Sequence, residues 1–236
     1  MEPTFKKSDK IFRFTVGERV AHWSHAISFF ILLFTGLGMI SMFFRPAVGI
    51  VGGIDVARNI HRVVAVLFVV VFVVNLFIGE GGRNVRAWVR EILAFDKKDL
   101  AHFMIFPFEF FGLHRPYPPQ GKFNGGEKFN SALMITGMVC LVITGFMMWF
   151  PTAIPRVILQ WAYPAHAGFA LLLTAVLLAH LYLSLLHPDS NQALKGMFNG
   201  YVPAKFAYEH YEKWYYKVKS EENVKEQAKR EIAADG

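Results

Sequence analysis

The sequence predicts an all-α integral membrane protein, a bundle of four spanning helices. Three observations carry that prediction. The 236 residues are 54% hydrophobic and only 18% charged, whereas soluble domains carry about 25% charged residues. Mean hydropathy is positive, at +0.33. Four long apolar runs interrupt the polar sequence, each with roughly the 17–25 residues that a helix needs to cross a hydrocarbon core.

The first run covers about residues 26–44 and holds no charge until Arg45. Some twenty-five mostly polar residues precede it, which argues against a cleavable signal sequence. The second run covers about 63–79. Its stretch Leu67–Val74 is rich in β-branched residues and would suit a strand in water. In lipid the backbone must satisfy itself, so a helix is expected. The third and fourth runs cover about 132–150 and 165–186. Between the second and third, Asn84–Phe95 alternates Trp88, Ile92 and Leu93 with Arg86, Arg90 and Glu91. That pattern predicts an amphipathic helix on the membrane surface. The aromatic stretch Phe103–Leu113 is expected to pack beneath the bundle, before Arg115-Pro116-Tyr117-Pro118-Pro119 breaks it. The chain divides into a membrane domain, residues 1–216, and a charged tail, residues 217–236.

The basic residues orient the bundle. The N-terminal segment, the loop 80–131 and the tail from 188 together hold twenty-one Lys and Arg, against four on the other side: Arg45, Arg58, Arg62 and Arg156. The positive-inside rule puts both termini in the cytoplasm. The net charge of +7 is thereby read as a membrane signal, and no nucleic-acid partner is expected. Trp23, Trp149, Trp161 and Tyr163 sit at span ends, as an interfacial belt would.

Cysteine chemistry is excluded early. The lone Cys140 permits no intrachain disulfide, no CxxCH haem attachment and no Cys-ligated cluster. No HExxH zinc motif occurs either.

Nine histidines carry the argument: residues 22, 25, 61, 102, 114, 166, 180, 187 and 210. A single histidine in a membrane helix serves equally well as an interhelical hydrogen-bonding residue. Four of them are placed more tellingly. His166 and His180 share the fourth span, fourteen residues and so about 21 Å apart, on nearly one face. His61 stands at the outer entrance of span two, level with His166. His22 stands at the inner entrance of span one, level with His180. Two neutral imidazoles from different helices can hold one haem iron axially. Two such pairs would stack two b-type haems across the membrane. His25, one turn after His22, could replace it. His102, His114 and His210 are expected to be solvated or locally bonded, and His187 to cap the fourth span. Gly36, Gly38, Gly137, Gly145 and Gly168 would let a macrocycle or a neighbouring helix come close. Arg19 and Arg62 would serve equally as partners of haem propionates or as interface anchors.

The order of these features resembles the cytochrome b (gamma) subunit of membrane-bound formate dehydrogenases, the di-haem cytochrome b556 family. Arg19-Val20-Ala21-His22-Trp23 is similar to its R-x-x-H-W opening, which selects His22 over His25. Asn59-Ile60-His61 matches the ligand at the start of span two. Lys122-Phe123-Asn124-Gly125-Gly126-Glu127-Lys128 is similar to its K-[YF]-N-x-G-[QE]-K segment. His166 and His180 form its H-x13-H pair. Lys195-Gly196-Met197, Gly200 and Trp214-Tyr215 resemble its closing pattern. The loop 103–120 and His187-Pro188-Asp189 do not map onto the family.

The resemblance implies metal ligands His22, His180, His61 and His166, and a quinone, menaquinone or ubiquinone, bound near Asn124 and Gly126 beside His180. Read without the family, Asn124-Gly125-Gly126 is a turn before a helix. The implied partners are an iron–sulfur (beta) subunit and a molybdenum or tungsten catalytic (alpha) subunit on the periplasmic side of a bacterial inner membrane. Related di-haem subunits serve nickel–iron hydrogenases and thiosulfate or polysulfide reductases. A reading of another class is a haem-free transporter or proton channel with relaying histidines, which needs no pairing by depth.

Overall fold

The computed structural model describes residues 3–77, 79–110, 113, 117–188 and 190–234, and for residues 79–85, 106, 109, 110 and 228–234 the backbone alone. His114, Arg115-Pro116 and Asp189 lie outside the described residues. The elements in chain order are β1 (Lys10–Phe12), α1 (Val16–Ile40), α2 (Arg45–Gly49), α3 (Ile54–Phe77), α4 (Gly79–Leu93), α5 (Lys97–Phe110), α6 (Gly125–Trp149), α7 (Arg156–Leu181), α8 (Gln192–Asn199), β2 (Tyr201–Pro203), α9 (Ala204–His210) and α10 (Glu212–Ala234). A π-helical turn, Tyr182–Leu186, continues α7. The elements fall into two compact units.

The first unit comprises Thr15–Val89 and Asn130–His187. Helices α1, α3, α6, and α7 with its π-turn are long and apolar enough to cross a membrane. All four begin about seven to ten residues before the apolar run that announces them. The reason is local. α1 starts on polar sequence because Thr15 and Glu18 form a reciprocal capping box, which satisfies its first free N–H groups. α3 starts after Gly52 and Gly53, both at positive φ, a conformation glycine adopts without a Cβ penalty. Hydropathy sees the part of a helix that meets lipid. It does not see the polar turns that precede it.

Helix α1 packs along α3 and meets α7 at fewer positions. A Cβ at Gly137 would lie 2.6 Å from Leu173 Cδ2, so α6 and α7 approach there only because residue 137 has no side chain. A Cβ at Gly38 would overlap Val48 of α2. The outward faces carry exposed apolar residues such as Val63, Leu178 and Trp161, as lipid contact requires.

The second unit comprises Met1–Phe14, Arg90–Phe129 and Pro188–Gly236. It departs from the all-α expectation by a small antiparallel ribbon in which Ile11 of β1 faces Val202 of β2. Its core gathers Ile11, Val202, Phe206, Tyr211, Trp214 and Tyr215. Gly200 closes α8 in the left-handed conformation. The aromatic segment forms α5, with Pro107 inside it. The tail continues α10 as an unbroken helix.

Two buried cations anchor the start of α6 in this unit. Arg13, stacked 3.9 Å over the Tyr211 ring, donates to Lys122 O and Glu127. Tyr211 donates its hydroxyl proton to Glu127 Oε1 at 2.7 Å. Lys128 donates to Asp99 at 2.8 Å and to Ala94 O. Burial raises the Tyr211 pKa and keeps the phenol neutral.

Candidate axial-ligand histidine pairs

The bundle brings four histidines together in twos. His61 of α3 and His166 of α7 have ring centres 6.3 Å apart at an interplanar angle of 58°. His22 of α1 and His180 of α7 have ring centres 6.4 Å apart at 54°. Because His166 and His180 share α7, the pairs are separated by roughly 21 Å of helix rise. Among the described residues no three His, Cys, Asp or Glu side chains gather around a point.

These spacings fit an axially coordinated metal. Two metal–nitrogen bonds of about 2.0–2.1 Å, with roughly another 1.1 Å from each nitrogen to its ring centre, separate two axial imidazole centres by a little over 6 Å. The rings are too far apart and too tilted for direct stacking, yet each lies beside a partner from another helix. That donor set, two imidazoles and nothing else, suits a haem iron whose other four positions a macrocycle fills.

Each ring of the first pair rests on a threonine. Thr35 Oγ1 lies 2.8 Å from His61 Nδ1, and Thr144 Oγ1 lies 2.9 Å from His166 Nδ1. The residue after each threonine is a glycine. A Cβ at Gly36 would come within 3.5 Å of His61 Cε1, and one at Gly145 within 3.3 Å of His166 Cε1. The reading of the sequence singled out both glycines and missed both threonines.

The second pair is held differently. His22 Nδ1 is buried with no hydrogen-bond partner. His180 precedes the π-turn, where Ser184 Oγ donates to the His180 carbonyl and His187 N donates to Tyr182 O. Pitch changes of this kind recur at functional sites. His25 points elsewhere. Its Nδ1 donates to Ala21 O at 2.6 Å, and its ring meets Phe68 and Phe72 edge-on. The geometry therefore brings His22, and not His25, to His180. Arg62 stacks its guanidinium 5.3 Å over Trp149.

Asn124 and Gly126 belong to the other unit. Asn124 Oδ1 accepts from Glu127 N at 2.8 Å, and Glu127 Oε2 accepts from Asn124 N at 3.0 Å. This is a reciprocal cap on α6, so the segment is a helix start, as its turn-forming residues predict. Gly126 has room to spare: a Cβ there would make only ordinary contacts, 3.4 Å to Asn124 Oδ1 and 3.8 Å to His102 Cε1. Gly125 is the tight one. A Cβ there would overlap the Asp99 carbonyl. His102, expected to be solvated or locally bonded, is not solvated, and its Nδ1 is buried without a hydrogen-bond partner among the described residues. The ring is buried and stacked on Tyr117 with ring centres 4.3 Å apart, and burial lowers its pKa to about 4.

Comparison with known proteins identifies the family. The chain is 25% identical over 221 residues to the formate dehydrogenase cytochrome b556(fdo) subunit of Escherichia coli strain K12, covering 91% of this chain and 96% of that protein. It is 25% identical to the formate dehydrogenase cytochrome b556 subunit of Haemophilus influenzae, over 87% of this chain and 82% of the relative. It is 23% identical to the nitrate-inducible cytochrome b556(Fdn) subunit of E. coli K12, over 93% and 97%. The profile of the prokaryotic cytochrome b561 family matches residues 13–200, a stretch that takes in all four spanning helices and both histidine pairs. Cytochromes b carry haem b, and this chain, with its paired imidazoles in a membrane bundle, belongs to the prokaryotic cytochrome b561 family.

Proposed function

We propose that the chain is the membrane cytochrome b subunit of a formate dehydrogenase. Electrons enter at the His61–His166 end, on the periplasmic side, from an iron–sulfur subunit that serves a molybdenum or tungsten catalytic subunit. They leave at the His22–His180 end and reduce quinone beside the cytoplasm, with protons drawn from that side. Two haems b, one per pair, supply the one-electron carriers. The chain's own residues hold the two sites fourteen residues apart along α7. The distribution of basic residues supports the orientation. The similarity to formate dehydrogenase subunits supports the upstream partner. By analogy with that family, Asn124 and Gly126 contribute to the quinone site.

The observation that carries this reading is the pair of matched ring spacings, 6.3 and 6.4 Å. The test is a pyridine haemochrome assay with reduced-minus-oxidised spectra on the complex purified from haem-replete membranes. Close to two haems b per chain are expected. A haem-free preparation would overturn the ligand reading and return the histidines to proton relay or helix packing. Metal analysis of the co-purified subunits checks the upstream enzyme: molybdenum or tungsten with a pterin fits a formate dehydrogenase, and nickel points to a hydrogenase.

A further inference from the structure

Thr35 and Thr144 stand in one relation to the two rings of one pair. Thr35 Oγ1 is 2.8 Å from Ile31 O and 3.2 Å from Leu32 O, besides its contact with His61. Thr144 Oγ1 is 2.7 Å from Cys140 O and 3.2 Å from Leu141 O, besides its contact with His166. A hydroxyl has one proton and two lone pairs, and a carbonyl oxygen can only accept. The threonine proton therefore goes back to its own helix, shared between two carbonyls. The imidazole must be the donor in the remaining contact. Nδ1 carries the ring proton, and Nε2 keeps its lone pair. Each threonine thus fixes the tautomer in which Nε2 is the metal-binding atom.

Three further facts belong with this. The same Thr-Gly step occurs opposite both rings, so the residue that holds each ring is followed by one that leaves clearance beside it. The third Thr-Gly step of the bundle, Thr136-Gly137, meets Leu173 at its glycine, which shows what the dipeptide does where no ring stands opposite. The other pair has no matching device at His22, whose Nδ1 has no acceptor. A hydrogen bond from the far ring nitrogen makes the ligating nitrogen more basic, and a more basic ligand favours the oxidised metal.

We propose that Thr35 and Thr144 are positioning residues for the His61–His166 pair, accepting the Nδ1 protons of both ligands and holding the haem there at a lower potential than the haem at His22–His180. The inference rests on the two-haem reading above and goes beyond it by giving the electron path a downhill direction. That direction runs from the threonine-held pair to the other.

The experiment is a redox titration of the purified complex. His166→Leu first identifies which reduction wave belongs to the threonine-held pair. That wave is expected to be the lower one in the unmodified complex; finding it the higher overturns the ordering. Thr35→Val and Thr144→Val keep the side-chain volume and remove the hydroxyl acceptor, leaving each ring only its contact with a backbone carbonyl, Leu32 O or Leu141 O. Each is expected to move that wave upward, by about threefold to tenfold in the reduction equilibrium, as the loss of one hydrogen bond gives, and to leave the other wave in place. Thr35→Ser and Thr144→Ser should restore it. An unmoved wave at full haem content, two waves moving together, or Ser variants behaving like Val variants would each refute the assignment. Should a Val variant lose that haem outright, retention by its Ser counterpart supports the role and loss from both overturns it. A wild-type complex without haem fails the functional reading instead, and is recognised before any variant is compared.

Discussion

The two histidine pairs are alike in spacing and unlike in support. Ring centres differ by 0.1 Å and interplanar angles by only 4° between them. His22 and His61 each lie about two turns into their helices, yet His61 and His166 are each met by a threonine, while His22 Nδ1 has no partner among the described residues and His180 stands just before a change of helical pitch. The roughly 21 Å between the pairs follows from the helix rise along α7. The support follows from which neighbour each ring happens to meet. A pair that only relays electrons benefits from rigid ligands, because less reorganisation accompanies each change of charge. Under the proposed function the second pair stands beside a substrate, and would have to share its surroundings with a molecule that arrives and leaves.

The largest expected effects separate the pairs outright. His166→Leu or His61→Leu should remove about half the haem and leave the wave of the other pair intact. His22→Leu or His180→Leu should remove the other half and abolish quinone reduction, while upstream donors still reduce the haem that remains. The pyridine haemochrome content and donor-driven reduction spectra read both outcomes. Equal loss of both haems from every variant would mean that the pairs form one cooperative site.

A smaller effect sharpens the quinone end. Gly125→Ala should lower the yield and melting temperature of the complex, because a new Cβ meets the Asp99 backbone, which cannot turn aside as a side chain can; overpacking of this kind costs about 1–3 kcal/mol or more. Gly126→Ala has room. It should assemble with both haems and raise the KM for quinone several-fold. An unchanged KM would place the quinone away from residue 126. The adjacent glycines thereby divide a structural role from a substrate role.

This division was only half legible in the sequence. The apolar runs gave the four spans, and helix arithmetic gave the separation of His166 from His180. The capped turns at Thr15–Glu18 and Asn124–Glu127 were hidden from hydropathy because their polar side chains are spent on capping the helix and not on lipid. The ribbon between Lys10–Phe12 and Tyr201–Pro203 was hidden because three-residue strands so far apart in the chain leave no periodic signal. Thr35 and Thr144 looked like ordinary helix residues, since threonine in an apolar helix normally bonds back to its own turn. The recurring Thr-Gly step was the available signal, but its third copy at Thr136-Gly137 made it ambiguous until the rings were placed. Gly126 drew attention over Gly125 because the motif marks it, whereas the close approach of the Asp99 backbone is a tertiary fact.

The smallest expected effect bears on the identity of the second pair. His25→Phe removes the bond from Nδ1 to Ala21 O, worth about 1 kcal/mol, and it also removes a buried Nε2 that has no partner. Leaving such an atom unpaired costs a comparable amount, so the two changes offset one another. The new ring keeps the edge-on contacts to Phe68 and Phe72. The melting temperature should therefore stay within a few degrees of the parent, with both haems present and both reduction waves in place. Loss of the wave assigned to His22–His180 would instead make His25 the ligand and would require α1 to turn by most of a quarter-turn or more in the loaded protein. That outcome would break the likeness between the pairs, because the ring arriving at His180 would already have its Nδ1 proton held by a backbone carbonyl. The contrast in support would then lie between threonine and carbonyl acceptors, and not between a held ring and an unheld one.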